Sequence, residues 1–230
     1  RVRAAGAGIS LATAVVILGL TMVPFLSPAW IHLEQDRAGS AALTGFTPPQ
    51  MARVTDSIVH DLVLGGDFDV RANDCPPLSG CPVPPPVLDA AEISHMRDVR
   101  GVFGGFAVVI LASLAGLLIA AWRASRSSPS TRAWAWAAVR RSAASLAILL
   151  LALGAVAVVA FDAAFELFHR ILFPGGNFDF DSRTEKLVQL FPEQFWSETA
   201  LLYGALAVVV SVGVAWVAAR RGSAAAGMAA

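Results

Sequence analysis

Residues 101–122 read GVFGGFAVVILASLAGLLIAAW, twenty-two positions without a charged side chain, closed by Arg123. An α-helix rises 1.5 Å per residue and needs about 20 such positions to cross ~30 Å of hydrocarbon, so this stretch spans a membrane. Three further runs of the same kind lie outward from it, over residues 7–27, 142–161 and 199–219. With 56% of its 230 residues hydrophobic, the chain is an integral membrane protein before any motif is considered.

The segments between these runs divide by charge. One set (1–6, the link 123–141 and the tail 220–230) holds Arg1, Arg3, Arg123, Arg126, Arg132, Arg140, Arg141, Arg220 and Arg221 and no acid. The other set, 28–100 and 162–198, holds all 17 Asp and Glu, the other seven arginines, Lys186 and all 4 histidines. The positive-inside rule places the first set in the cytoplasm. The expected fold class is therefore an all-α membrane protein of four transmembrane helices. Its termini are expected inside (N-in, C-in), with an external cap, part helical and part irregular, built from 28–100 and 162–198. A net charge of zero conceals this asymmetry. No basic stripe interleaved with aromatics is present, which argues against a nucleic-acid partner.

Arg1 to Arg3 before an apolar run has the outline of a signal peptide, but the run is long and Ser27-Pro28-Ala29 is a poor cleavage site, so a retained first helix is expected. The chain opens on Arg rather than Met, and a few residues ahead of it are allowed for. Cys75 and Cys81 share a proline-rich stretch on the side where disulfides persist, and a structural disulfide between them is expected. Metal binding there would need more ligands at suitable spacing, and none is expected elsewhere.

The first polar segment is too long for a plain connector. Met51, Val54, Ile58 and Leu62 recur at helical spacing after Pro48-Pro49, and Gly65-Gly66 supplies a stop. This predicts an amphipathic helix lying on the bundle or at the lipid surface. Asp89 followed three residues later by Glu92 predicts a capping box, opening a helix that runs unbroken through His95 into the second span. Trp134 and Trp136 in the arginine-rich link are expected as interfacial anchors. The third span is expected to continue past Phe161 through His169 and to end before Pro174. Ser182 with Glu185 predicts a second capping box for a short helix with an apolar face of Leu187, Leu190 and Phe191. Phe195-Trp196 would anchor the outer end of the last span.

Two histidines stand out by position. His95 precedes the second span by six residues and His169 follows the third by eight, which puts both roughly 9–12 Å beyond the hydrocarbon boundary. Glu92, His95 and Asp98 share one helix face; so do Asp162, Glu166 and His169. A carboxylate beside an imidazole fixes its tautomer and raises its basicity, as a general base requires. Arg97, Arg100, Arg170 and Arg183 are near enough in sequence to hold an anionic headgroup or a developing oxyanion. Asp162 reads equally as a buried acid behind the site or as the first residue in water. His60 lies opposite its helix's apolar stripe and is expected in solvent. His32 follows Trp30 and is expected at the interface. The bland alternative for the whole set is solvated and snorkelling helix ends.

Two blocks carry a family resemblance. One is Glu92-x-x-His95-Met96-x-Asp98-Val99 leading into a membrane helix. The other is Phe168-His169-x-x-x-Phe173, an Asn/Phe/Asp-rich loop, then Leu187-Val188-x-Leu190-Phe191-Pro192-x-x-Phe195-Trp196. Together they resemble the four-helix bacterial membrane family that includes the lipoprotein intramolecular transacylase. The proline-rich Cys75/Cys81 loop departs from it as an insertion. The resemblance implies an enzyme of the bacterial cell membrane, its active face extracytoplasmic, acting on a diacylated lipoprotein in the outer leaflet. One acyl chain would move from glycerol to the N-terminal cysteine amine. The family's two catalytic histidines map onto His95 and His169; no cofactor is implied.

The residues fit that chemistry. An α-amine titrating near pH 8 must lose a proton before it can attack an ester. Amine and ester in one molecule already have a high effective concentration, so no serine or cysteine nucleophile is needed. His95 is expected as base and His169 as acid or oxyanion donor, with Glu92 or Asp98 and Glu166 or Asp162 orienting them. Gly101, Gly104, Gly105 and Gly116 would leave room for acyl chains or permit close helix packing. Three competing readings stay open. One is a non-catalytic scaffold presenting its external domain to an exported partner. A second is a phospholipid-directed acyl hydrolase or transferase. A third, haem held by the two histidines, is disfavoured because both lie outside the apolar core.

Overall fold

The computed structural model describes residues 2–72 and 85–228, with side chains from Ala5 onward. Cys75 and Cys81 lie outside the described residues. Nine α-helices follow in order among the described residues: α1 Val2–Met22, α2 Pro28–Arg37, α3 Ser40–Thr44, α4 Pro48–Leu64, α5 Ala90–Ser125, α6 Pro129–Val159, α7 Phe161–Leu172, α8 Lys186–Leu190 and α9 Glu193–Gly227. A short 3-10 turn, Val23–Leu26, precedes α2, and no strand occurs among the described residues. The fold is all-α, with four helices among the described residues long and apolar enough to cross a membrane. Two compact units divide the chain: residues 1–23, 105–159 and 201–230 form one, residues 24–104 and 160–200 the other.

The apolar unit is held by small side chains. Ala138 and Ala143 of α6 are fully buried, and Ile17, Ala143 and Leu146 form its core cluster. Ser10 Oγ donates to the Ala138 carbonyl at 3.4 Å and Ser142 Oγ to the Ser10 carbonyl at 2.5 Å. In hydrocarbon, where lipid tails are as apolar as leucine, close approach and such hydrogen bonds are what favour one helix pairing over another. Gly19 is a close-approach site, because a Cβ there would lie 2.5 Å from Ile110. Gly101, Gly104, Gly105 and Gly116 meet nothing within 4 Å of an added Cβ, so they leave room and do not serve close packing. The aromatic Trp134 lies against Gly6, and Trp136 against Gly222. Both tryptophans sit within α6, which begins at Pro129, well before the apolar run at Ser142.

The polar unit has its own core. Met51, Val54 and Ile58 of α4 pack with Phe68, Val70, Leu88, Met96, Leu187 and Leu190, and Leu62 lies against the cluster. The apolar stripe of α4 thus faces the interior of this unit, not lipid. Full burial of side chains such as Ile58, Leu88 and Leu190 stabilises by roughly 1.5–3 kcal/mol each. Thr47 and Gln50 cap α4 reciprocally around Pro48, and Gly65, at φ +90, ends it. The two short helices α2 and α3 were not expected from sequence. Gln35 Nε2 and Ser40 Oγ both donate to the Leu190 carbonyl at 3.0 Å, tying them to α8.

Three local expectations meet the structure differently. The Asp89/Glu92 capping box forms, with Asp89 Oδ1 accepting from the Glu92 N–H at 2.8 Å and Glu92 Oε2 from the Asp89 N–H at 2.7 Å. The helix it opens runs unbroken to Ser125, about 54 Å, so the stretch before Gly101 exceeds what hydrocarbon requires. The third span, in contrast, breaks at Ala160 (φ −144, ψ 52), and α7 starts afresh at Phe161. The Ser182 box does not form, because Asp181 takes its place. Its carboxylate accepts the Arg183 N–H and guanidinium, its N–H donates to Glu185, and α8 begins only at Lys186. A carboxylate is the stronger acceptor, and it wins the turn.

Glu92 does more than cap. It is 1% exposed, and its Oε1 also accepts the Leu187 N–H at 2.6 Å, so one buried carboxylate joins the starts of α5 and α8. Glu92→Ala would leave the buried Leu187 N–H and the half-buried Asp89 N–H unpaired and is expected to destabilise by about 1–3 kcal/mol, with Glu92→Gln losing less. Thermal unfolding of the detergent-solubilised chain measures the difference.

Candidate active site

His95 stands one turn after Glu92 on α5, and His169 in the last turn of α7. The structure brings the two together: their ring centroids are 6.1 Å apart, with planes inclined by 27°. Phenylalanines enclose them. Phe173 meets both rings, at 4.9 Å from His95 and 5.6 Å from His169. Phe180 lies 5.5 Å from His95; Phe165, Phe168 and Phe178 lie 4.2, 5.3 and 5.3 Å from His169. The loop after α7 therefore folds back over the pair.

The two imidazoles are not equivalent. His169 Nδ1 lies 2.9 Å from the Phe165 carbonyl oxygen. A carbonyl only accepts, so Nδ1 carries the proton and Nε2 presents its lone pair. His95 is 6% exposed, and its buried Nδ1 has no hydrogen-bond partner. Burial, reinforced by the neighbouring imidazole and opposed by Asp98, pushes its pKa down to about 4. At neutral pH His95 is uncharged.

The expected supporting residues separate by what they touch. Glu92 faces backbone amides at both oxygens and does not reach His95; burial raises its pKa. Asp98 lies beside the pair, one turn beyond His95, and its Oδ2 accepts from Asn177 Nδ2 at 2.7 Å. Glu166 pairs with Arg170 at 2.5 Å on the exposed side of α7. Asp162 lies against Glu193, whose pKa it raises, and both are exposed. Arg100 donates to the Gly66 carbonyl at 2.5 Å and stacks over Phe68, so it braces the loop after α4. Arg183 grips Asp181 in two places. Arg97 alone among the four arginines has no ion pair or hydrogen bond to any described residue. It lines an open groove of about 460 Å³ with Asp98, Gly101, Val102 and residues 172–175, including Phe173.

His60 is exposed beside Asp61, and His32 Nε2 lies 3.0 Å from Asp56; neither joins the pair. Among the described residues, no three His, Cys, Asp or Glu side chains are grouped as a metal site requires. Sequence reasoning did not single out Asn177, nor the phenylalanine wall. The available signal was density: five phenylalanines between residues 165 and 180, around one histidine.

A sequence profile of the family described as lipoprotein intramolecular transacylase Lit matches residues 7–196. Comparison with curated proteins gives no match. The fold is similar to the in meso structure of the membrane-integral Lit from Bacillus cereus, at 17% identity and TM-score 0.69 over 96% of each chain. Two histidine-substituted forms of that protein also match. The arginine form gives 16% identity and TM-score 0.66 over 96% of this chain and 91% of that one. The alanine form gives 17% and 0.66 over 95% and 92%.

The depressed His95 pKa has a measurable consequence. An unfolded histidine titrates near 6.5 and this one near 4, so between those values the unfolded chain holds one more proton. Its neutral burial is uncompromised above about pH 6.5, and stability falls as pH drops toward 4, by up to about 3 kcal/mol. His95→Gln is expected to flatten that part of the stability profile, read as unfolding midpoints of both proteins at pH 7.5, 6 and 4.5.

Proposed function

The chain belongs to the lipoprotein intramolecular transacylase family, and on that premise we propose that it moves one acyl chain from the diacylglyceryl group of a lipoprotein to its N-terminal cysteine amine. The reaction takes place at the outer leaflet. The charge asymmetry supports this face: both long acid-bearing segments share one side, and the segments assigned to the cytoplasm carry arginine without acid.

The observation that carries the catalytic reading is the pairing of unlike histidines. His169, its tautomer fixed by Phe165, is the general base; its Nε2 accepts an N–H of the neutral amine and takes that proton as the C–N bond forms. The amine attacks the ester carbonyl, and a tetrahedral oxyanion forms. Neutral His95 donates a hydrogen bond to that oxygen, and Arg97 supplies positive charge from the groove. On collapse the C–O bond breaks, and the glycerol oxygen takes the proton held by His169. An amide and a lyso glyceride result. This exchanges the roles expected from sequence, because a group titrating near 4 is a weak base at neutral pH.

Mass spectrometry of a diacylated lipoprotein's N-terminal peptide, from cells expressing the chain, tests the activity. An acyl chain on the cysteine amine is expected with the native protein and not with His95→Ala or His169→Ala. An unshifted acyl chain with the native protein in the membrane would overturn the assignment in favour of a phospholipid substrate or a scaffold. Arg97→Ala is expected to lower kcat/KM about tenfold, while Arg183→Ala stays within about twofold.

A further inference from the structure

Asn177 carries a buried side-chain carbonyl oxygen with no hydrogen-bond partner among the described residues. Its Nδ2 donates to Asp98 Oδ2 at 2.7 Å, and its Oδ1 is out of contact with solvent and has no donor among the described residues. The amide orientation is not arbitrary. A carboxylate only accepts, so nitrogen must face Asp98 and oxygen must face the other way. Native interiors satisfy nearly all buried polar atoms, and an exception beside a candidate site asks for a ligand group. The placement is close to the histidines on two counts: Asp98 is one turn beyond His95, and the next residue, Phe178, lies 5.3 Å from His169.

We propose that Asn177 Oδ1 is the second acceptor for the substrate's primary amine, sharing it with His169. The proposal rests on the transacylase reading. A neutral primary amine has two N–H bonds and one lone pair. With one N–H on His169 Nε2 and the other on Asn177 Oδ1, the lone pair is left to face the ester carbonyl carbon. Two acceptors fix the direction of attack where one would leave the amine free to rotate about a single hydrogen bond. Asp98 holds the amide from behind, and in this role it is a positioning residue for Asn177.

The test uses the purified full chain and two synthetic diacylglyceryl-cysteine lipopeptides. One has a free primary amine; the other has an N-methyl amine with a single N–H. The native protein is expected to prefer the primary amine by about tenfold or more in kcat/KM, the rate equivalent of one lost hydrogen bond. Asn177→Leu, of similar volume, keeps any steric penalty against the methyl group but removes the acceptor. It is expected to be slower on the primary amine and to show a preference near one. Asn177→Ala gives a second measurement of the same ratio, should the leucine form fail to fold. Asp98→Ala, which retains Oδ1 but not its support, is expected to fall between native and Asn177→Leu. Undiminished preference in both Asn177 variants overturns this assignment alone and makes Asn177 a strut for its loop. Absence of N-acylated product with the native protein overturns the transacylase reading, and this assignment with it.

Discussion

The buried carboxylate of Glu92 is the constraint from which the polar unit is built. It accepts the Asp89 amide at the start of α5 and the Leu187 amide at the start of α8, two segments nearly a hundred residues apart in sequence. Burying a carboxylate is unfavourable unless its oxygens are satisfied, and here two backbone amides do so. Once that joint is made, His95 is placed one turn along α5. The chain entering α8 is then drawn against the same helix, which closes the loop of residues 173–185 over the histidine pair. Gln35 and Ser40 reinforce the joint from a different direction by meeting at the Leu190 carbonyl.

The site inside that frame is apolar by construction. Phe165, Phe168, Phe173, Phe178 and Phe180 surround two imidazoles, and water is thereby thinned around them. Low local dielectric strengthens the hydrogen bonds that are made and penalises charge that is not paired. The two histidines divide under this pressure. His169 has a carbonyl partner and keeps a directed lone pair, whereas His95 is held neutral by desolvation. Two identical side chains thus acquire different chemistry from their surroundings alone.

Legibility in the sequence followed the range of the interaction involved. The apolar stripe of α4 and the Asp89/Glu92 box were readable because both are set within a turn or two of helix. The break at Ala160 was not, since Ala160-Phe161-Asp162 contains neither Gly nor Pro and the chain turns there without a local breaker. The Ser182 box failed because Asp181, one residue earlier, competes for the same turn with a full charge. The supporting carboxylates shared a helix face with the histidines and the arginines were near in sequence, but neither relation fixes what a side chain meets across the fold. Glu92, Arg100 and Arg183 found partners elsewhere, and Asn177 arrived from a loop that has no periodicity to read.

What the sequence determined by itself was the medium and the class of chemistry. Hydrocarbon thickness sets the length of each span, charge divides the polar segments into an arginine-only set and an acid-bearing set, and two histidines lie at helix ends beyond the apolar runs. Those are one-dimensional quantities, counted along the chain. The tertiary structure decided the surroundings of each group. Protonation state, tautomer and an unpaired acceptor depend on how far each atom is removed from water and on what stands within 3 Å of it. Those distances are closed by segments far apart in sequence, so no local pattern records them.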